Sequence, residues 1–110
     1  MMRHYQAKMM AQMNNVQSMK SEMKYWESSD NYKKAIESHQ RYIDFIRNST
    51  GSPQQLIEAY MRMGRFAESM GDRLLATDVY TDVMDVMVRA RWDPLKISEL
   101  QSKIASLHYY

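Results

Sequence analysis

No segment limits the fold of this chain more than Ile57 to Ala90, IEAYMRMGRFAESMGDRLLATDVYTDVMDVMVRA. Its apolar residues recur in the i, i+3, i+4, i+7 rhythm that a helix turns onto one face. Tyr60, Met63, Gly64 and Ala67 make one such face, and Leu75, Ala76, Val79, Tyr80, Val83 and Val86 or Met87 make a second. Between them stands Met70-Gly71-Asp72. Gly71 can adopt the left-handed conformation that ends a helix, and Asp72 can accept from the first-turn amides of the next. Gly64 and Ala76 carry little or no side chain, so two helices can cross closely there. The stretch therefore predicts an antiparallel helical hairpin. It holds no residue set that identifies a reaction, so function becomes a choice between kinds of binding.

The same spacing resembles the tetratricopeptide repeat, a helical hairpin of about 34 residues. Tyr60, Met63, Gly64, Ala67, Gly71, Asp72, Ala76, Tyr80 and Val83 stand where that family has its large, small, turn and aromatic residues. Where the family places a proline this chain has Val88, so the second helix is expected to run on to about Trp92. Asp30-Asn31-Tyr32-Lys33-Lys34-Ala35 resembles the turn and second helix of an earlier repeat, over residues 16–49. Trp26, Ala35, His39 and Tyr42 match there, whereas Met23 replaces a small residue. The stretches GSPQQLIEAY and AESMGDRLLA are also similar to a small bacterial domain family of unknown function, whose helices follow a long basic arm.

Residues 2–27 read as one long helix. Met2, Met9, Val16 and Met23 fall at heptad position a, and Tyr5, Gln12, Met19 and Trp26 at d, which is a coiled-coil-like seam. Met1, Met2, Met9, Met10, Met13, Met19 and Met23 are seven of the 12 methionines. Methionine is flexible and suits irregular, promiscuous surfaces. This face either covers the chain's own core or pairs with another chain through residues 1–15. Ser29 or Asp30 is expected to cap a helix over about 30–48, with Tyr32, Ala35, Ile36, His39, Tyr42, Ile43 and Ile46 buried. Ser52, Pro53 and Gln55 form a capping box with proline at the first helical position. Asp93-Pro94 repeats the cap-plus-proline signal and starts a last helix to about His108, with Ile97, Leu100, Ile104 and Leu107 in a narrow apolar stripe.

The expected fold is all-α, a tetratricopeptide-like bundle of about five helices with a long N-terminal helix. One helical domain spans residues 1–110: hairpins over 16–49 and 52–92, then a packing helix over 93–108. Only 3 Gly and 2 Pro interrupt the chain, which favours helices over a sheet. Fifteen basic residues against 13 acidic ones give no concentrated cationic footprint for non-specific nucleic-acid binding. There is no cysteine, hence no disulfide and no thiolate zinc site. No apolar run reaches the roughly 20 residues of a membrane span, and no signal-peptide core opens the sequence. The chain reads as soluble and cytoplasmic.

His4, His39 and His108 lack carboxylate partners at metal-ligand spacing, and His39 occupies a position suited to a buried ring. Asp78, Asp82 and Asp85 line one helix face and read as a solvated row. Without a phosphate loop, a nucleophile elbow or a paired acid and base, neither enzyme activity nor a cofactor is expected. The resemblance implies that the first helix of each hairpin lines a groove. Gln17, Lys20, Lys24, Glu27 and Ser28 would face it in one hairpin, and Glu58, Met61, Arg65, Glu68 and Ser69 in the other. Lys20, Lys24 and Arg65, with Arg62 nearby, suit an acidic peptide or a C-terminal carboxylate. The expected role is that of an adaptor, scaffold or chaperone-like subunit. It binds a protein partner, or a second copy in a homo-oligomer, through Met2, Tyr5, Met9, Lys20, Lys24, Met61, Arg62 and Arg65. Two alternatives are a nucleic-acid-associated accessory protein using Arg3, Lys8, Lys20, Lys24 and Arg62, and a structural subunit of a larger assembly.

Overall fold

A computed structural model of the chain describes the backbone of residues 2–49 and 51–108, and the side chains of residues 15–49 and 51–108. The described residues form five helices and no strand: α1 (Met2–Ser28), α2 (Tyr32–Ser49), α3 (Pro53–Ser69), α4 (Arg73–Arg89) and α5 (Pro94–His108). The expected all-α class is what the chain adopts, with adjacent helices packed as hairpins. Among the described residues no helix is long and apolar enough to cross a membrane.

One device closes three of the turns. After α3, Gly71 sits at φ 80°. Its amide donates to the Glu68 carbonyl at 3.1 Å, and the Asp72 amide reaches back to Ala67 at 2.9 Å. These two bonds satisfy carbonyls that the ending helix leaves open, the Schellman arrangement. Asp72 then caps α4, accepting from the Leu75 amide at 3.0 Å. After α1 the left-handed residue is Asp30, φ 53°, with Asn31 donating to the Trp26 carbonyl. Asn31, rather than Ser29 or Asp30, caps α2: its side chain accepts from Lys34 at 3.2 Å. Asp30 is committed to ending α1, so it is one residue too early to start α2.

After α4 the left-handed residue is Arg91, φ 57°, and Trp92 donates to Met87 at 3.0 Å. Helix α4 therefore stops at Arg89 and does not reach Trp92, even without a proline. Trp92 instead folds back against the core formed by Tyr80, Val83 and Met87. Asp93 caps α5 through the Leu95 amide at 3.0 Å. Before α3, Ser52 holds the N-cap position with extended backbone and Pro53 follows, but the Ser52 side chain makes no cap hydrogen bond. There the backbone carries the start, with the Leu56 amide on the Ser52 carbonyl at 3.0 Å.

The residues group into two compact units, one through Tyr42 and one from Ile43 onward, so the boundary falls inside α2. In the first unit Met23, Ala35, Ser38, His39 and Tyr42 are buried. Ser38 satisfies its hydroxyl on the Ala35 carbonyl at 2.6 Å, which lets a polar residue sit in a core the sequence pattern did not assign to it. Tyr32 and Ile36 are only half-buried. Arg41 pairs with Glu22, and the Lys34 ammonium stands 4.9 Å from the Trp26 ring centroid.

In the second unit α3 packs along α4, and α4 along α5. Ile57, Ala67, Ala76, Tyr80, Val83, Met87 and Leu100 form a buried cluster. Gly64 marks the close crossing: a Cβ there would lie 2.6 Å from Tyr80 Cε1. Helix α3 buries Met63, Gly64 and Ala67 of the face expected for it, with Ile57, Ala59 and Phe66 in addition, while Tyr60 is half-buried. In α5 only Leu100 is buried, while Ile97, Ile104 and Leu107 are half-buried along its contact with α4.

Candidate functional site

The second unit contains a groove of about 700 Å³ built by three helices. Helix α3 contributes Met61, Arg65, Glu68 and Ser69, which share a face because they are spaced four, three and one apart. Tyr80 and Met87 of α4, seven residues apart, reach the floor. Lys96, Glu99, Leu100 and Lys103 come from α5. The size lies within the roughly 300–1,000 Å³ of ligand-binding clefts. Met61, Met87 and Leu100 make the surface apolar, and Arg65 and Lys96 stand exposed at it.

Glu68 ties the three helices together. Its Oε2 accepts from the Tyr80 hydroxyl at 2.9 Å, and its Oε1 accepts from Lys103 Nζ at 2.6 Å. The Lys103 hydrogen bond holds the Glu68 carboxyl below its ordinary range, with burial opposing and Tyr80 assisting. Burial, followed by the Glu68 carboxylate, pushes the Tyr80 phenol well above its ordinary value. Tyr80 thus stays a neutral donor. Lys103 and Glu68 spend their charges on each other, whereas Arg65, Lys96 and Glu99 carry no ion pair among the described residues.

The first unit repeats this arrangement in its own register. Glu68 precedes the cap residue Asp72 by four positions and Tyr80 follows it by eight; Glu27 and His39 stand at the same offsets from Asn31. His39 Nε2 lies 2.7 Å from Glu27 Oε2, and the imidazole is fully buried. His39 is therefore the interior counterpart of Tyr80.

Of the residues that sequence singled out, the structure brings Met61 and Arg65 together in the groove. Glu68 and Ser69 join them, while Glu58 is exposed elsewhere on α3. Arg62 is half-buried and does not line the groove. Lys20 and Lys24 are exposed on α1 in the first unit. Met2, Tyr5 and Met9, like Arg3 and Lys8, fall outside the residues whose side chains are described. The sequence reading missed the α5 wall. Its signal was present, since Lys96, Leu100 and Lys103 follow the helical spacing beside the Ile97–Leu107 stripe that docks α5 on α4.

Asp78, Asp82 and Asp85 are exposed on α4. Partial burial, and then the like charges of Asp85 and Asp78, raise the Asp82 carboxyl, with Arg47 as the opposing cation. Among the described residues no group of three acidic or imidazole side chains converges to hold a metal. Searches of protein families, curated proteins and solved structures find no match for this chain.

Proposed function

We propose that this chain is a small helical adaptor or scaffold subunit that holds a segment of another protein in the groove between α3, α4 and α5. The groove itself carries the reading: methionine and leucine surface for an apolar anchor, with unpaired cations beside it, on three continuous helices that Glu68 cross-braces. Flexible thioethers accept side chains of varied shape, and a braced frame reduces the ordering cost of binding. The tetratricopeptide-like reading of the two hairpins fits this role. It is supported by the small residue at the α3–α4 crossing and by the Glu-to-ring bond repeated at one register.

The test selects peptides from a displayed random library against the full chain, then measures their affinity for wild type and for Met61→Asp. Met61 is half-buried and packs against the core cluster, so circular dichroism checks that the variant keeps its helices. Affinity is expected to drop about tenfold or more when the apolar surface gains a charge. Peptides that bind both forms equally do not use the groove, and the proposal then fails.

A further inference from the structure

Two unmatched surfaces of the second unit have opposite charge. The groove presents Arg65 and Lys96, with Glu99 as the lone uncompensated acid beside them. On α4, Asp78 and Asp82 stand two residues either side of the groove-facing Tyr80, and Asp85 two residues before Met87. Two residues are about 200° around a helix, so this acidic row looks out from the opposite side of α4. All three aspartates are exposed and none has an ion pair among the described residues. Arg47 is the cation that acts on Asp82. The row is bracketed by Leu74 and Val88, 81% and 57% exposed. These two apolar residues lie about 21 Å apart along the helix.

We propose that the groove of one molecule takes the outer face of α4 of a second copy, with Arg65 and Lys96 meeting Asp82 and Asp85 and with Leu74 or Val88 on the methionine surface. The proposal rests on the groove being a binding surface and names one partner for it. Charge complementarity favours this occupant: like charges repel along the row, and an arriving cation pair relieves that repulsion. Because the two surfaces lie on opposite sides of α4, the contact is head-to-tail. Such a contact leaves a free groove at one end and a free acidic row at the other, so it adds copies in a row or a ring rather than stopping at a twofold pair. A ligand filling the groove would cap such a row.

The experiment is sedimentation of the full chain at low and at about 0.5 M salt, where charge contacts are screened. Wild type should show a salt-sensitive, concentration-dependent rise in mass. Arg65→Glu/Lys96→Glu and Asp82→Lys/Asp85→Lys should each weaken that association about tenfold or more. Mixed in equal amounts, the two variants should form a salt-sensitive complex. The reversed groove and the reversed row are themselves opposite in charge, so in this mixture each variant's groove meets an oppositely charged row on the other and the copies alternate. That rescue separates a lost contact from a lost fold, and the milder Arg65→Gln/Lys96→Gln and Asp82→Asn/Asp85→Asn forms repeat the measurement without reversed charge. A wild type that stays monomeric at low salt overturns the proposal, as does a mixture that fails to pair. If the groove variant dissociates and the α4 variant does not, a different face occupies the groove: this proposal falls and the groove reading stands. If peptides selected for the groove also fail to distinguish Met61→Asp, both fall.

Discussion

At the scale of single residues, Gly64 and Glu68 set the second hairpin. Alanine is ordinarily about 1 kcal/mol better than glycine inside a helix. At Gly64 that gain is outweighed, because its Cβ would press on the Tyr80 ring at 2.6 Å. The ring cannot simply turn aside: Tyr80 is 1% exposed and its hydroxyl is held by Glu68. Gly64→Ala should therefore lower the melting temperature, and Gly64→Leu should cost about 1–3 kcal/mol. Thermal melts decide it, and an unchanged transition would mean the crossing is looser than described. Glu68 gives a pH signature. Its carboxyl is held below its ordinary value of 4.5, so the folded state binds that proton less readily than the unfolded chain does. The resulting stability is fully present above about pH 4.5 and is lost as pH falls through the folded value. Lys103 is the largest cause of the depression. Lys103→Gln should therefore flatten this part of the acid-unfolding curve, measured by circular dichroism from pH 6 to pH 2. Parallel curves for the two proteins would show that the bond does not persist in solution.

At the scale of helices, ends are fixed by caps, and the caps differ in kind. Asp72 and Asp93 supply side-chain acceptors to first-turn amides at 3.0 Å. Replacing either with Ala should cost about 1 kcal/mol in denaturant melts. Ser52→Ala should cost less than either, since the Ser52 side chain makes no cap hydrogen bond. Equal losses at all three positions would show Ser52 capping in solution. These ends also show how far the sequence could be read. Helix identity followed from periodicity, and Gly71-Asp72 was readable because glycine and aspartate advertise their roles. Asp30 and Arg91 do the work of Gly71 without being glycine. No local signal distinguishes a non-glycine residue that takes positive φ, so the sequence pattern places the cap of α2 at Ser29 or Asp30 instead of Asn31 and the end of α4 at Trp92 instead of Arg89. For the groove, the α3 wall was readable from spacing within one helix. The α5 wall and the Glu68–Lys103 brace depend on which helix packs beside which, and a single sequence specifies that poorly.

At the scale of the whole molecule, the open matter is what the N-terminal methionines meet. In the first unit Met23 is buried and Val16, Met19 and Trp26 are half-buried, so the described part of the seam is already engaged. The sequence continues the same seam upstream through Met9, Tyr5 and Met2. Two further heptads of helix add about 20 Å. An apolar stripe of that length left in water would be an exposed patch of the sort that marks an interaction surface. Its flanks are cationic, with Arg3, Lys8 and Lys20 and no acidic residue before Glu22, so like-charge repulsion works against pairing at low salt. High salt screens that repulsion and leaves apolar contact intact. Deleting residues 1–14 should therefore leave a helical, cooperatively folding chain while abolishing the association that persists at about 0.5 M salt. Sedimentation of both forms at that salt is the measurement, with circular dichroism as the folding control. A truncated chain that unfolds would place the segment in the core. A full-length chain that stays monomeric at high salt, and whose mass in host extract matches the truncated form, would remove the N-terminal seam from the list of binding surfaces.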